Sequence, residues 1–133
     1  MARLVKLLIA DDSASTRQLI KDFFVEKTSA VSECADGAQA LAAYERIHAD
    51  WVLMDIQMPV MGGLEATRRI KAADPQARII VVTEFADAEL RAEARQAGAC
   101  GYVLKDDLSQ LPQIMAGANR SNPDFGQSTR MNT

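Results

Sequence analysis

Five short apolar runs recur along this chain, and each is followed by a segment with helical spacing. Most of the runs are continuous rather than alternating, which indicates strands buried on both faces, as in a parallel sheet. The predicted strands span residues 4–10, 30–34, 51–54, 79–83 and 100–104. Right-handed crossovers between parallel strands produce an open sheet with helices on both faces. The sequence therefore predicts an α/β fold of (βα)5 type, a doubly wound parallel sheet.

The intervening segments carry start and stop signals for five helices. Ser13 or Ser15 can cap the first helix, and Gly98 is a predicted left-handed C-cap of the fourth. The second helix follows Asp36, and the others are predicted at about 63–73, 87–97 and 108–118. Apolar positions at helical spacing predict which residues of three helices are buried. They are Leu19, Ile20, Phe23 and Phe24 in the first helix, Leu41 and Tyr44 in the second, and Leu108, Leu111, Ile114 and Met115 in the fifth.

Length and charge limit the classes of protein that fit. The chain has 133 residues, 48% of them hydrophobic, with a net charge of −3, which suits one domain with one core. Mild acidity argues against nucleic-acid binding through this domain, because neutralising phosphates requires clustered Lys and Arg. No run approaches the ~18 apolar residues of a membrane span, and the first residues lack a signal-peptide pattern. We expect a cytoplasmic protein, with a domain at 1–118 and a flexible tail or linker at 119–133.

Polar side chains follow four of the predicted strands. Asp11 and Asp12 end the first strand, Asp55 the third, Thr83 the fourth and Lys105 the fifth. A strand order of 2-1-3-4-5 places these four strands side by side, so the side chains would converge in the crevice beyond their carboxyl ends. The pattern predicts a polar site at this edge of the sheet.

Three neighbouring carboxylates repel one another unless a cation joins them. Oxygen ligands in a small open site favour Mg2+, which also meets phosphate oxygens. A metal and an ammonium around one carboxylate, with a hydroxyl nearby, suit phosphoryl transfer onto that carboxylate. The sequence thus predicts a Mg2+-assisted phosphoryl acceptor.

Four motifs at βα spacing make the resemblance to a known family specific. They are DD at 11–12, MDIQMP at 54–59 with MGG at 61–63, VVT at 81–83 and GACGYVLK at 98–105. Taken in this order they resemble a response-regulator receiver domain of two-component signalling, over residues ~3 to ~118. The resemblance implies a flavodoxin-like fold.

The resemblance also implies roles for the site residues. Asp55 would be the phosphoacceptor. Asp12 would bind Mg2+ directly, Asp11 mainly through water, and Gln57 through its backbone carbonyl. These four residues would form the metal and acceptor site.

Three further residues would respond to phosphorylation. Thr83 would donate its hydroxyl to the phosphoryl group, and Lys105 would pair with it. Tyr102 matches the aromatic residue that moves inward in this family. The added charge would then remodel the face made by the fourth helix, fifth strand and fifth helix. The partners implied are a sensor histidine kinase or phosphotransfer protein and a possible homodimer, with no membrane.

Two departures from the common pattern affect the output. Asp106 follows Lys105 where many receivers have a proline joined by a cis bond, so we expect a trans bond. The LKD sequence at 104–106 resembles the NarL/FixJ class, whose members usually carry a C-terminal DNA-binding domain. DNA binding would require that domain, which this chain lacks, so the chain is either a fragment of a transcription factor or a stand-alone receiver. We expect Glu84, Phe85 and Gln57 to tune the lifetime of the phosphoryl group.

Two other classes of protein share parts of this pattern. A phosphatase of the haloacid-dehalogenase type also uses an aspartyl nucleophile, but it has a second Asp where this chain has Gln57. A flavodoxin-type flavin protein would hold a phosphate in its first loop, where Asp11 and Asp12 would repel it. Turnover of phosphate esters would favour the phosphatase, and a colourless preparation would exclude the flavin protein.

Overall fold

The computed structural model describes residues 5–24 and 28–117 and forms one five-stranded parallel sheet. The strand order is β2-β1-β3-β4-β5, as the sequence predicts. The strands are β1 Val5–Ala10, β2 Thr28–Cys34, β3 Trp51–Met54, β4 Ile79–Thr83 and β5 Gly101–Leu104. Strand β2 thus begins two residues before its predicted start, and β5 begins one residue after it.

In the described part of the chain, five α-helices and one 3-10 helix connect and follow the strands. They are α1 Ala14–Asp22, α2 Gly37–Ile47, α3 Gly63–Ala73, α4 Ala88–Ala97, the 3-10 helix Lys105–Gln110 and α5 Leu111–Gly117. Helix α1 begins after Ser13, whose hydroxyl accepts the Thr16 N–H. Helix α4 ends at Gly98, which has a φ of 110° and is the left-handed C-cap that the sequence predicts.

The two faces of the sheet bury separate apolar clusters. Alternate β1 residues Leu7 and Ile9 pack with Ile20 and the fifth-helix residue Leu111 on one face. Their neighbours Leu8 and Ala10 pack with residues of α2 and α3 on the other face. A third cluster joins Val81 and Tyr102 to α4. Helices therefore cover both faces, which explains why the strands read as continuous apolar runs.

Of the four residues predicted to form the buried stripe of the first helix, two are buried and two are exposed. Ile20 and Phe24 are buried, but Leu19 is 54% exposed and Phe23 is 40% exposed. Residues one position apart on a helix are rotated by about 100°, so Leu19 and Ile20 cannot both face the sheet fully. Ile20 lies on the side toward the sheet and Leu19 on the side toward solvent, whereas Phe23 is the C-cap of α1 and Phe24 follows it.

The fifth helix begins later than predicted. Residues 105–110 form a 3-10 helix, Asp107 has a non-helical φ of −137°, and α5 begins at Leu111. Pro112 explains the boundary, because proline lacks the N–H that a continuous α-helix would need and is favoured in a first turn. Leu108, Leu111 and Ile114 are buried as predicted, and Met115 is partly buried against the same cluster.

Some predictions fall outside the described residues. These are the strand residue Leu4, the helix residue Ala118 and the tail at 119–133. Within residues 5–24 and 28–117, no helix combines the length and the apolar character that crossing a membrane requires.

Val60, in the loop between β3 and α3, has a strained backbone. Its φ is 69°, and its side chain is 84% exposed. A β-branched residue in the left-handed region is disfavoured by about 1–2 kcal/mol, and this side chain gains little burial in return. We expect Val60→Asn to raise the free energy of unfolding by about 1 kcal/mol in urea titrations, because Asn tolerates this conformation. Val60→Ala removes the β-branch but offers no polar side chain that can hydrogen-bond locally, so it should gain less. An unchanged midpoint for Val60→Asn would contradict the strain.

Candidate functional site

The carboxyl edge of the sheet brings three carboxylates together. Ala10 of β1 lies beside Met54 of β3, so the residues that follow them are neighbours. The Asp55 N–H donates to the Ala10 carbonyl at 2.9 Å. Asp11, Asp12 and Asp55, here called the acidic trio, each offer an oxygen within 4.8 Å of the others. The convergence that the sequence predicts for these side chains is therefore present.

Lys105 reaches the acidic trio from the end of β5. Its Nζ lies 2.9 Å from Asp11 Oδ2 and 3.4 Å from Asp55 Oδ1. Burial lowers the pKa of Lys105, but the hydrogen bonds and charges of Asp11 and Asp55 outweigh burial and raise the pKa overall. Lys105 is therefore a fixed positive charge beside two of the three carboxylates.

The surroundings of Asp55 disfavour its negative charge. Asp55 is 5% exposed. Its pKa is raised from 3.8 to about 6, and burial is the largest cause of this increase. Repulsion by Asp11 raises the pKa further, whereas the charge and hydrogen bond of Lys105 lower it. One ammonium does not compensate for burial and a neighbouring carboxylate, so the site favours further positive charge.

The donor set of the acidic trio fits a hard divalent cation. Mg2+ binds oxygens at about 2.1 Å, so octahedral ligands lie about 3–4 Å apart, and the trio oxygens, all within 4.8 Å of one another, need at most a small contraction. Asp12 is exposed while Asp11 and Asp55 are buried, which leaves one side of the trio open to water. Mg2+ usually retains several water ligands. The residues present thus fit Mg2+.

Asp11 is held through both its backbone and its side chain. Its N–H donates to the Cys34 carbonyl of β2 at 3.0 Å, and its Oδ1 accepts the Ser13 N–H at 2.8 Å. The Arg17 Nη1 donates to the Asp11 carbonyl oxygen at 2.7 Å. Arg17 is a contact that the sequence reasoning missed. Its position one turn after the Ser13 cap is the signal that could have suggested it.

Two glycines allow the loop after Asp55 to pack closely. The Gly63 N–H donates to the Ile56 carbonyl at 2.8 Å, and a Cβ on Gly63 would lie 1.7 Å from the Asp55 carbonyl oxygen. The Gly37 N–H donates to the Met61 carbonyl at 2.8 Å, and a Cβ there would lie 2.3 Å from that oxygen. The first residues of α3 and α2 thus hold this loop through backbone contacts.

A cavity of about 570 Å3 opens beside the acidic trio. It is lined by residues 55–59 together with Asp12, Glu84 and Phe85. Gln57 lies on this lining and is exposed, and binding of Mg2+ by its backbone carbonyl stays a prediction. The effect of Glu84, Phe85 and Gln57 on phosphoryl lifetime stays a prediction.

Thr83 and Tyr102 are linked through Phe85. The Phe85 N–H donates to the Thr83 Oγ1 at 3.2 Å, and an accepting hydroxyl still carries its own proton to donate. The Tyr102 hydroxyl donates to the Phe85 carbonyl at 2.7 Å, and Tyr102 is 3% exposed. Tyr102 does not line the cavity but connects to it through this loop. The Arg91 guanidinium lies over the Tyr102 ring at 4.5 Å, a second contact absent from the sequence reasoning.

The comparison with protein families agrees with this geometry. Residues 7–116 match the response regulator receiver domain family, and the chain belongs to that family. It is 41% identical to the chemotaxis protein CheY of Bacillus subtilis over 117 residues, which cover 87% of this chain and 96% of that protein. It is 39% identical to YhcZ, an uncharacterized transcriptional regulatory protein of the same organism. That match covers 85% of this chain but only 56% of YhcZ.

Solved structures give the same fold. A two-component response regulator of the LuxR family from an Aurantimonas species is 30% identical, has a TM-score of 0.83, and the match covers 94% of each chain. A chain of the CheX–CheY–BeF3–Mg2+ complex from Borrelia burgdorferi is 29% identical, has a TM-score of 0.75, and the match covers 82% of this chain and 84% of that one. The resemblance to receiver domains and the flavodoxin-like fold are therefore confirmed. The Lys105–Asp106 peptide bond is trans, as expected from the missing proline.

Proposed function

We propose that this receiver domain accepts a phosphoryl group on Asp55 with Mg2+ bound at the acidic trio. The observation that carries the proposal is the position of Lys105, whose Nζ contacts both Asp55 and Asp11 within the trio. A buried nucleophile flanked by a fixed ammonium and further carboxylates is suited to receiving a phosphoryl group. The Borrelia CheY structure, which contains BeF3 and Mg2+, supports this assignment.

Each residue has a defined part in the transfer. A carboxylate oxygen of Asp55 attacks the phosphorus, and the bond between phosphorus and the donor's leaving atom breaks as the electron pair leaves with the donor. Asp11, Asp12, Asp55 and the Gln57 carbonyl would hold Mg2+, which supplies positive charge to the phosphoryl oxygens. Lys105 pairs with the negative charge that the transferred group brings.

The Thr83 and Tyr102 contacts would carry the signal away from the site. A phosphoryl group adds about −1.5 to −2 charge and strong acceptor oxygens, to which Thr83 can donate its proton. Thr83 is hydrogen-bonded to Phe85, and Phe85 is hydrogen-bonded to Tyr102 of β5. Because Arg91 of α4 lies over the Tyr102 ring, a movement of Thr83 would reach both β5 and α4. The result would be a population shift on the α4, β5 and α5 face, read by a partner.

The proposed setting is a two-component system in the cytoplasm, with the receiver at 1–118 and a tail or linker at 119–133. The donor would be a sensor histidine kinase or a phosphotransfer protein, and the domain would be a phosphoacceptor switch with slow self-dephosphorylation rather than an enzyme acting on other substrates. The output is transcriptional if a DNA-binding domain accompanies the receiver, as the LuxR-family neighbour suggests. Otherwise the chain would be a stand-alone receiver that acts through contacts with another protein, in line with its similarity to CheY. A homodimer is a further possible partner.

Intact mass spectrometry tests the proposal. Incubation with Mg2+ and acetyl phosphate should add one phosphoryl group to the wild-type protein, because a small acyl phosphate can replace a protein donor. Asp55→Asn should show no addition, and EDTA should suppress uptake by the wild type. Uptake that persists in Asp55→Asn would contradict the assignment, and sustained release of phosphate from phosphate esters would favour the phosphatase.

A further inference from the structure

We propose that Arg17 is a positioning residue that fixes the Asp11 and Asp12 side of the acidic trio and thereby sets its affinity for a divalent cation. The inference rests on the proposed function only in requiring that a cation binds at the trio. Arg17 is not among the residues that line the cavity described above. It acts instead on the backbone that carries two of the three carboxylates.

The contacts of Arg17 join the loop after β1 to strand β2. Nη1 donates to the Asp11 carbonyl oxygen at 2.7 Å, and Nε donates to Glu33 Oε1 at 2.8 Å. The Arg17 side chain is 19% exposed. A guanidinium presents several N–H donors in a rigid planar arrangement, so the two bonds together fix the direction in which the Asp11 carbonyl points. The side chain therefore restricts where residues 11 and 12 can lie, together with the bonds that Asp11 makes to Cys34 and Ser13.

Glu33 keeps Arg17 in place. It lies on β2 beside Ile9 of β1, close to the start of the Asp11 loop. Its second oxygen, Oε2, accepts a hydrogen bond from the Lys21 Nζ at 2.7 Å. The hydrogen bonds of Lys21 and then Arg17 lower the pKa of Glu33, so Glu33 stays an anion that can hold both cations. Lys21 shares this partner but makes no contact with Asp11 in the described structure, which makes it a matched control.

Charge and position predict opposite effects of removing Arg17. A positive charge close to the acidic trio disfavours a second cation, so loss of the charge alone would tighten metal binding. Loss of the contact would leave the buried Asp11 carbonyl without its charged donor and free the loop, which would weaken metal binding. Outer contacts that orient metal ligands commonly change metal affinity by about 10–100-fold. We therefore expect the positional effect to win.

Electron paramagnetic resonance titration with Mn2+, a probe for the Mg2+ site, measures this affinity directly. Arg17→Met should weaken Mn2+ binding about tenfold, whereas Lys21→Met should change it by less than about twofold. Each variant removes one positive charge and one partner of Glu33, so only the Asp11 contact differs. Unchanged or tighter binding by Arg17→Met, or equal weakening by both variants, would overturn the proposal.

Hydrogen exchange in EDTA supplies a readout that involves no metal. The Asp11 amide, which donates to the Cys34 carbonyl of β2, and the Ser13 amide, which donates to Asp11 Oδ1, should exchange at least about tenfold faster in Arg17→Met, with β4 amides unchanged. If Arg17→Met does not fold, Arg17→Lys retains the charge without the two-way contact and should show weaker binding in the same direction. A wild-type protein that binds no Mn2+ would refute the metal site, whereas unchanged exchange at Asp11 and Ser13 would refute the role of Arg17.

Discussion

Gly63→Ala is expected to lower the free energy of unfolding by more than about 3 kcal/mol and to weaken phosphoryl uptake by more than about tenfold. A Cβ at this position would lie 1.7 Å from the Asp55 carbonyl oxygen and 2.8 Å from its carbonyl carbon. Both are backbone atoms, and the Asp55 N–H is itself bonded to Ala10, so the neighbour cannot yield cheaply. Relief of the clash requires α3 or the Asp55 loop to move.

The adjacent glycine is a matched control for this prediction. A Cβ on Gly62 would meet only the Ile56 carbonyl oxygen, at 3.3 Å, and Gly62 has a φ of −72° that alanine adopts readily. Gly62→Ala should therefore change the free energy of unfolding by less than about 1 kcal/mol. Urea unfolding and phosphoryl uptake of the two variants measure both effects. Equal stability of Gly62→Ala and Gly63→Ala would show that the contact between α3 and Asp55 is not required.

Asp55→Asn is expected to stabilise the metal-free protein at neutral pH. Because burial and Asp11 raise the pKa of Asp55 to about 6, the folded state binds this proton more tightly than the unfolded state, whose ordinary value is 3.8. The stability that comes from this group is fully present below pH 3.8 and is lost as the pH rises through 6. In EDTA the variant should exceed the wild type by about 1 kcal/mol at pH 4.5 and by about 3 kcal/mol at pH 7.5.

Asp12→Asn is the control for general loss of negative charge. Asp12 is exposed, so solvent screens its interactions and the substitution should change the free energy of unfolding by less than about 1 kcal/mol. Millimolar Mg2+ should stabilise the wild type and narrow its difference from Asp55→Asn, because the cation binds the folded carboxylates. A difference that does not vary with pH, or an Asp55→Asn variant less stable than wild type at pH 7.5, would contradict the origin of the raised pKa.

The sequence predicts the fold well because the strands are buried on both faces. A continuous apolar run such as 79–83 is too short for a typical helix and so indicates an interior strand, and polar residues that end parallel strands meet at one edge of the sheet. Asp11, Asp55 and Lys105 come together for this reason. The spacing of apolar residues is less able to predict which residues of a helix are buried. Leu19 and Ile20 are both strongly apolar, and only contact with the sheet decides which one is buried.

Contacts made by the backbone are the part that the sequence pattern does not show. The Arg17 bond ends on a carbonyl oxygen, which every residue has, so no residue type marks the partner. The close approaches at Gly37 and Gly63 depend on how α2 and α3 meet the Asp55 loop. The start of α5 depends on Pro112, which is visible in the sequence and could have corrected that boundary.

Reductive mapping of the phosphorylated residue tests the central claim most directly. Borohydride reduces an aspartyl phosphate to homoserine, so peptide mass spectrometry after treatment with acetyl phosphate and Mg2+ identifies the carboxylate that held the group. We predict homoserine at position 55, dependent on Mg2+, with Asp11 and Asp12 unchanged. Homoserine at another position, or an unmodified Asp55 in protein that has gained a phosphoryl group, would contradict the assignment of Asp55 as the acceptor.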